Sequence, residues 1–274
     1  MDQLILDKGE WWGSVVIPHD RCGRWRIGPL SLCIQRLEGE WRISRSTSGD
    51  ATATDLEVEV PCECPELLDE EEVSRFGVSG ANETLLLRPA LADRDVVSSP
   101  QLPFYIPAGE SVTIYVSHPL WVQVLMGKEE TVLDEFAIHQ PPDTWFGPDT
   151  QTGKLCYAAR SFCELRRAAV HDRPHRATTA LLVKNRAATE LYLERIKLPV
   201  PYLSLYADPD SANLWTEDVV LEGFEDHALA PLQVRKGAPA AIARWTKVAD
   251  ARHVTHGNIM VRAFGSLFAS KAEF

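Results

Sequence analysis

The sequence predicts a mainly β protein, antiparallel and sandwich-like, with one C-terminal helix. Short segments alternate apolar and polar side chains, and Pro and Gly separate these segments at turn-like positions. In addition, the sequence lacks the regular alternation of helix and strand patterns that parallel α/β folds require. We expect two β-rich halves, residues 1–128 and residues 129–274, arranged as two packed sandwiches.

Alternation identifies the first strands. Residues 30–34 and 41–43 alternate on either side of a Glu38-Gly39 turn, which predicts a hairpin. Residues 56–60 are apolar at even and acidic at odd positions, the clearest strand pattern in the chain.

A longer strand covers residues 112–124, where Pro119 lacks the N–H that a ladder needs and should mark an edge or a bulge. Further strands are expected in the second half, at residues 180–183, 191–196, 201–207 and 214–221.

One segment has helical periodicity. In residues 239–252, Ile242, Trp245, Val248 and Ala249 recur at steps of three and four. Pro239 suits the first turn of a helix, so we predict the C-terminal helix here.

Residues 144–161 contain a Trp, a Pro, a Cys and a Tyr close together, as a catalytic loop would. Gly147, Pro148 and Asp149 each have a backbone reason to be in a turn, and alternation places Cys156 in the middle of the following strand. A nucleophilic cysteine needs a neighbouring base and an electropositive site, which this pattern does not supply. We therefore interpret the segment as a hairpin.

Charge and composition narrow the function classes. The formal net charge is -11, so the overall field repels nucleic acid and anionic lipid. No apolar run approaches the ~20 residues of a membrane span, and we expect no direct membrane insertion. The first residues lack a secretory signal pattern, which leads us to expect a cytoplasmic protein with reduced cysteines.

Four residues raise the alternative of a metal-dependent enzyme. Cys62 and Cys64, with His171 and His175, have the donor types of a two-Cys, two-His zinc site. A simpler interpretation is that the two cysteines continue the even-numbered apolar face of the strand at residues 56–60. We favour the simpler interpretation.

The chain contains one acidic and one basic run, and their presence allows three interpretations. Nine acids and no Lys or Arg lie between Asp55 and Glu72. The basic run contains Arg160, Arg166, Arg167, Arg173 and Arg176. In the first interpretation, the two runs are separate solvated faces. In the second, they dock together, within one chain or between copies. In the third, the arginines bind an anion or phosphate.

The chain has eight tryptophans. Periodicity places Trp25, Trp41 and Trp245 in the core, and leaves Trp11, Trp12 and Trp145 as candidates for exposure. Exposed aromatics on a sandwich also stack on sugars, so a carbohydrate-binding module is a further alternative. Because Trp and Arg are frequent interface anchors, we predict a contact surface that contains Trp145 and the arginines of the basic run.

Three runs carry a resemblance to a known family: WRIGPLSLCI from Trp25, FYIPAGESVTIYVSHPLWV from Phe104 and TWFGPDTQTGKLCYA from Thr144. The chain resembles an uncharacterised prokaryotic family, domain of unknown function 432. The resemblance implies no established activity and no catalytic residues. It also hints at genes near small mechanosensitive channels, and hence at a membrane channel as a partner.

Together these observations favour a non-enzymatic binding or assembly protein. We expect it to contact a protein partner or a second copy of itself, to need no cofactor and to bind no nucleic acid.

Overall fold

A computed structural model describes residues 10–64, 72–79, 83–147, 153–211, 213–223, 230–254 and 259–261. Within this part the chain is mainly β, as predicted. The strands of its first part are β1 (Gly13–Val16), β2 (Arg21–Ile27), β3 (Leu30–Leu37), β4 (Glu40–Thr47), β5 (Leu56–Cys62), β6 (Glu72–Gly77), β7 (Thr84–Leu91), β8 (Val96–Pro100), β9 (Phe104–Ile106), β10 (Ser111–Met126) and β11 (Thr131–Ala137).

The second part is equally rich in strands, and short 3₁₀ turns are its helical elements among the described residues. Its strands are β12 (Asp143–Phe146), β13 (Lys154–Ser161), β14 (Arg176–Asn185), β15 (Leu191–Leu193), β16 (Ile196–Leu198), β17 (Leu205–Ala207), β18 (Leu214–Thr216), β19 (Asp218–Gly223), β20 (Ala230–Arg235), β21 (Thr246–Ala249) and β22 (Ile259–Val261). The 3₁₀ turns are Arg167–Ala169 and Val200–Tyr202.

The largest sheet runs in the order β1-β7-β10-β14-β18-β17-β21. Strand β11 pairs with β10, and β19, β20 and β22 continue from β14. Most pairs are antiparallel, but β14 runs parallel to β18 and β19, and β13 runs parallel to β8. The fold is therefore mixed rather than purely antiparallel.

Strand β10 links the parts of this sheet, and Pro119 marks the point where its partners change. Residues 111–119 of β10 pair with β14, whereas residues 120–126 pair with β7. The missing N–H of proline thus falls where one ladder ends and another begins, so the strand continues without a break.

A five-stranded sheet, in the order β5-β2-β3-β4-β6, covers the large sheet. Its alternating residues, such as Trp25, Ile34 and Trp41, enter one continuous core that also contains Leu85 and Leu120. The expected hairpin joins β3 and β4 through Gly39, whose φ of 71° suits glycine.

The hairpin predicted at residues 144–161 is confirmed on its described residues. Strands β12 and β13 pair antiparallel, with Thr144 opposite Cys156 and Phe146 opposite Lys154. Cys156 is buried in the middle of β13. The turn residues 148–152 lie outside the described residues.

The predicted C-terminal helix at residues 239–252 is wrong. A turn around Pro239 is followed by strand β21, which pairs with β17. Ile242 and Ala249 are buried as the helical pattern required, but Trp245 is 52% exposed. Spacings of three and four in so short a segment also fit a turn followed by a strand, and the free edge of β17 supplies the backbone hydrogen bonds.

The division at residue 128 stays a prediction, and the largest sheet includes strands from both sides of it. Across the described residues, no helix has the length and apolar character needed to span a bilayer.

Candidate functional site

A small cleft opens where β10, β13 and β14 meet the segment that connects β13 to β14. Arg160, Arg173 and Arg176 line it together with Ser117 and Phe162, and we call these five residues the arginine cleft. Its volume is about 40 Å³, which is room for one carboxylate or phosphate group rather than for a complete small-molecule ligand.

Arg176 is the fixed centre of the cleft. Its Nε donates to Ser117 Oγ at 2.7 Å, and its Nη2 donates to the carbonyl oxygens of Ser117 at 2.8 Å and Arg160 at 3.3 Å. Burial, together with the charge of Arg173, lowers the pKa of Arg176 to about 10. Even so, the guanidinium remains charged at neutral pH.

Arg160 and Arg173 complete the positive lining. The Arg173 guanidinium carbon lies 5.8 Å from the centre of the Phe162 ring, and Phe162 in turn meets the His171 ring edge-on at 5.4 Å. Within the described part of the chain, Arg160, Arg173 and Arg176 form no ion pair with a carboxylate. Glu164 is the one acid that also lines this cleft.

Aromatic side chains support the cleft from below. Tyr115 lines it and packs edge-on against buried Trp215, with ring centres 6.1 Å apart. Trp215 belongs to a small apolar cluster with Tyr206 and Ile242. The Arg167 guanidinium lies over Trp215 and pairs with Asp208 at 3.4 Å, outside the cleft.

The predicted contact surface is only partly assembled. Arg160, Arg173 and Arg176 come together, whereas Arg166 is exposed at the start of a 3₁₀ turn. Trp145, 38% exposed, pairs with Leu155 and lies far from Arg160. Five residues of strand separate those two positions along β13, which corresponds to about 17 Å.

Another aromatic replaces Trp145 beside the arginines. Phe162 is 47% exposed, and the sequence around it has no alternating or helical pattern that would have marked it as a contact residue. Of the other tryptophans, Trp25 and Trp41 are buried as predicted. The expectations for Trp11 and Trp245 were wrong, because Trp11 is buried and Trp245 is exposed.

The four residues of the alternative zinc site do not converge. His171 lines the arginine cleft, while His175 packs against Gly28 and its Nε2 lies 3.2 Å from the Ala51 oxygen. Gly28 is six residues along β2 from Cys22, the partner of Cys62, which is about 20 Å. Among the described residues, no group of three or more His, Cys, Asp or Glu is arranged to hold a metal ion.

The interpretation of Cys62 and Cys64 as an extension of the apolar face was also wrong. The β2–β5 register shifts before Cys62, so Cys62 points away from the main core and packs with Cys22 and Cys33. Alternation alone carries no record of such a shift.

The acidic run finds its partners elsewhere than the basic run. Within the described residues, Glu63 pairs with Arg21, Glu59 with Arg24 and Glu72 with Arg45. Docking of this run onto residues 160–176 of the same chain is therefore not seen in the described part, while docking between copies stays a prediction.

The comparisons with known proteins place the chain in a family. No match was found among curated proteins or among solved structures. A family model described as "Protein of unknown function (DUF432)" matches residues 11–269, nearly the whole chain. The chain therefore belongs to the DUF432 family, as its sequence motifs suggested.

Proposed function

We propose that this chain is a non-enzymatic binding or assembly protein that holds a protein partner, or a second copy of itself, at the arginine cleft. One observation carries the proposal: three arginines converge there, and among the described residues none of them forms an ion pair with a carboxylate. Arg176 in particular is a desolvated positive charge that contacts only neutral oxygens, which is unfavourable, so a carboxylate from outside would complete the site.

The size of the cleft favours a side chain of a protein over a free ligand. A space of about 40 Å³ is well below the ~300 Å³ of a small-molecule pocket, but it accepts one Asp or Glu carboxylate. Arg176 is held in place by Ser117 and Arg160, so little side-chain entropy remains to be lost on binding.

Exposed apolar residues beside the cleft give the partner a surface to bury. Phe162 stands at the rim, and Leu165, next to the lining residue Glu164, is 56% exposed. Aromatic and Arg side chains with an apolar neighbour are the usual composition of an interface centre.

The proposal places the protein in the cytoplasm and assigns it no catalytic residue and no cofactor. A membrane channel stays one candidate for the partner. The zinc-enzyme and sugar-binding alternatives stay predictions, and no contact among the described residues favours either.

Site-specific photo-crosslinking tests the proposal. A photoreactive amino acid replaces Leu165 in the native host, and cross-linked products are identified by mass spectrometry. We expect one dominant protein partner, or a dimer of the chain, which disappears when Arg160→Ala and Arg173→Ala are combined.

A matched control is Arg186→Ala, which removes an exposed arginine outside the cleft that pairs with Glu222 at 3.9 Å. The control should leave the cross-link unchanged. Equal cross-linking in the double variant and the control would show that the cleft does not hold the partner.

A further inference from the structure

A second group of reactive side chains lies on the five-stranded sheet, away from the arginine cleft. Cys22 of β2 and Cys62 of β5 are directly opposite each other, and their Sγ atoms are 2.7 Å apart. Both side chains are buried, at 0% and 7% exposure. The Sγ–Sγ separation is shorter than the sum of two sulfur van der Waals radii, and two thiols so close at facing strand positions are unusual unless they react or share a ligand.

An irregularity of β5 creates this contact. Arg24 pairs with Glu59 and Cys22 pairs with Cys62, so three residue steps of β5 match two of β2. Val60 packs against the main core. The extra step turns Cys62 to the opposite face of the sheet, where it packs with Cys22 and Cys33. Without it, strand alternation would direct Cys62 into the core with Val60.

Cys33 and Cys64 lie beside the Cys22–Cys62 pair. We call Cys22, Cys33, Cys62 and Cys64 together the thiol cluster. Cys33 packs against Cys22 and Cys62, and the Cys64 thiol interacts with that of Cys22. Cys64 is exposed, whereas the other three are buried. The cluster therefore has one solvent-accessible thiol, Cys64, next to three buried thiols that include the Cys22–Cys62 pair.

Charged groups face the cluster from β2, from β5 and from the turn that precedes β2. The Arg24 guanidinium donates to the Glu63 carbonyl oxygen at 2.9 Å and interacts with the thiols of Cys22 and Cys62. Glu59 and Asp20 add negative charge, and Arg21 adds positive charge near Cys64.

We propose that Cys22 and Cys62 form a reversible disulfide, and that Cys64 is the thiol through which a low-molecular-weight disulfide oxidises them. Facing residues of antiparallel strands have Cα atoms about 4.5–5.5 Å apart, within the range that a disulfide spans. The bond would need no rearrangement of the backbone.

The exchange balances in three displacements. The Cys64 thiolate attacks one sulfur of the external disulfide, forms a mixed disulfide and releases one external thiolate. The Cys22 thiolate then attacks Cys64 Sγ and releases the second external thiolate. Finally the Cys62 thiolate attacks Cys22 Sγ, which forms the Cys22–Cys62 bond and returns Cys64 as a thiolate.

Overall, two protein thiols are oxidised, one external disulfide is reduced to two thiols, and the thiol protons end on the released thiols. A dithiol reductant reverses the reaction by the same steps.

The rate should be slow at neutral pH. Burial and the neighbouring Cys22 raise the pKa of Cys62, of Cys64 and of Cys33, the last to about 12, although Arg24 opposes the rise at Cys33 and Cys62. Because the thiolate is the nucleophile, oxidation should accelerate by about tenfold per pH unit between pH 7 and pH 9.

Oxidised glutathione serves as the probe on the full chain, purified without a tag and fully reduced. We expect intact mass to fall by two hydrogen atoms and peptide mapping to join Cys22 to Cys62, with dithiothreitol restoring the original mass. Cys64→Ser should reach the same disulfide about tenfold more slowly or worse, because the remaining thiols are buried. Cys156→Ser, which removes a buried thiol on β13, should react like the unmodified chain.

Three results would overturn the proposal. One is a stable glutathione adduct that never resolves into an internal disulfide. Another is a disulfide that excludes Cys22 or Cys62. The third is a stoichiometric soft metal in the purified protein that is released when the thiols are alkylated, since the cluster would then be a metal site. The unmodified chain and the exposed Cys64→Ser variant provide these readouts even if Cys22→Ser or Cys62→Ser fails to fold.

Discussion

The five-stranded sheet and the arginine cleft both contain several arginines, but most arginines of the sheet form ion pairs and Arg176 of the cleft contacts only neutral oxygens. On the sheet, Arg45 pairs with Glu72 at 2.5 Å and with Asp134 at 3.0 Å, and Arg75 pairs with Glu40 at 2.6 Å. In the cleft, the guanidinium of Arg176 is held by a hydroxyl and two carbonyl oxygens, with no carboxylate among the described residues.

The difference separates structural charge from available charge. A paired arginine has already exchanged its hydration for a carboxylate of the same chain, and it contributes to holding strands together. An arginine that is half-buried and bonded only to neutral oxygens keeps its attraction for an anion. Under the proposed function, an external carboxylate would therefore bind at the cleft rather than at the paired arginines of the sheet.

The largest expected effect is acid sensitivity caused by the region around the cleft. Burial, with a contribution from Arg176, lowers the pKa of His118 to about 3 and of His175 to about 4, from an ordinary 6.5. Below pH 6.5 the unfolded chain therefore binds protons that the folded chain does not. The free energy of unfolding should fall by about 5 kcal/mol from these two imidazoles between pH 7.5 and pH 4.5.

Urea unfolding at several pH values measures this loss. His118→Gln, whose amide can still reach the Thr179 hydroxyl that lies 2.9 Å from the imidazole, should remove about half of the slope. An unchanged slope in this variant would mean that the imidazole is not kept neutral by the fold.

The next effect belongs to the sheet with paired charges. The proposed Cys22–Cys62 disulfide closes a loop of 40 residues, which should raise the free energy of unfolding by about 4 kcal/mol over the reduced chain. Because the bond lies far from the cleft, partner cross-linking at Leu165 should be the same in both redox forms. Urea unfolding of the two forms, with Cys62→Ser as the insensitive control, measures the gain.

Arg45→Met tests the paired region directly. Arg45 connects β4 of the five-stranded sheet to β11 of the large sheet, through Asp134 and through the Phe136 ring 4.4 Å from its guanidinium carbon. The substitution leaves the largely buried Asp134 carboxylate without its cation, and we expect a loss of about 2 kcal/mol in the free energy of unfolding. A change under ~0.5 kcal/mol would show that pairing adds nothing there.

The same substitution in the cleft should have the smallest effect on stability. Arg173→Met removes a positive charge that opposes Arg176, and it loses a contact with the Phe162 ring and an electrostatic interaction with the exposed Asp50. We expect the free energy of unfolding to stay within about 0.5 kcal/mol of the original value. Partner cross-linking should nevertheless fall, and a destabilisation as large as that of Arg45→Met would erase the distinction between the two regions.

Local chemistry made the hairpin at residues 144–161 predictable. The backbone preferences of Gly, Pro and Asp predict a turn there. The alternating pattern of the strand that follows predicts that Cys156 is buried, whichever strands pack beside it. The same reasoning failed at residues 239–252. In so short a segment, a helix has the same spacing of buried positions as a turn that is followed by an edge strand.

The candidate site was predictable only in part. The basic run identified Arg160, Arg173 and Arg176, but not the hydroxyl and carbonyl groups of Ser117 and Arg160 that orient Arg176. Those contacts depend on the pairing of β10 with β14, which brings Ser117 and Arg176 together across 59 residues. Trp145 lies in β12 opposite Leu155, at the end of β13 away from the cleft, so its role as a contact residue stays a prediction separate from the arginines.

By itself the sequence determined the β class, the hairpins and the family, because alternation and turn preference act between residues that are close along the chain. Only the tertiary structure decided which arginines stay unpaired and which thiols meet. Both outcomes depend on strand register, and a single extra step in β5 moves Cys62 from one face of the sheet to the other.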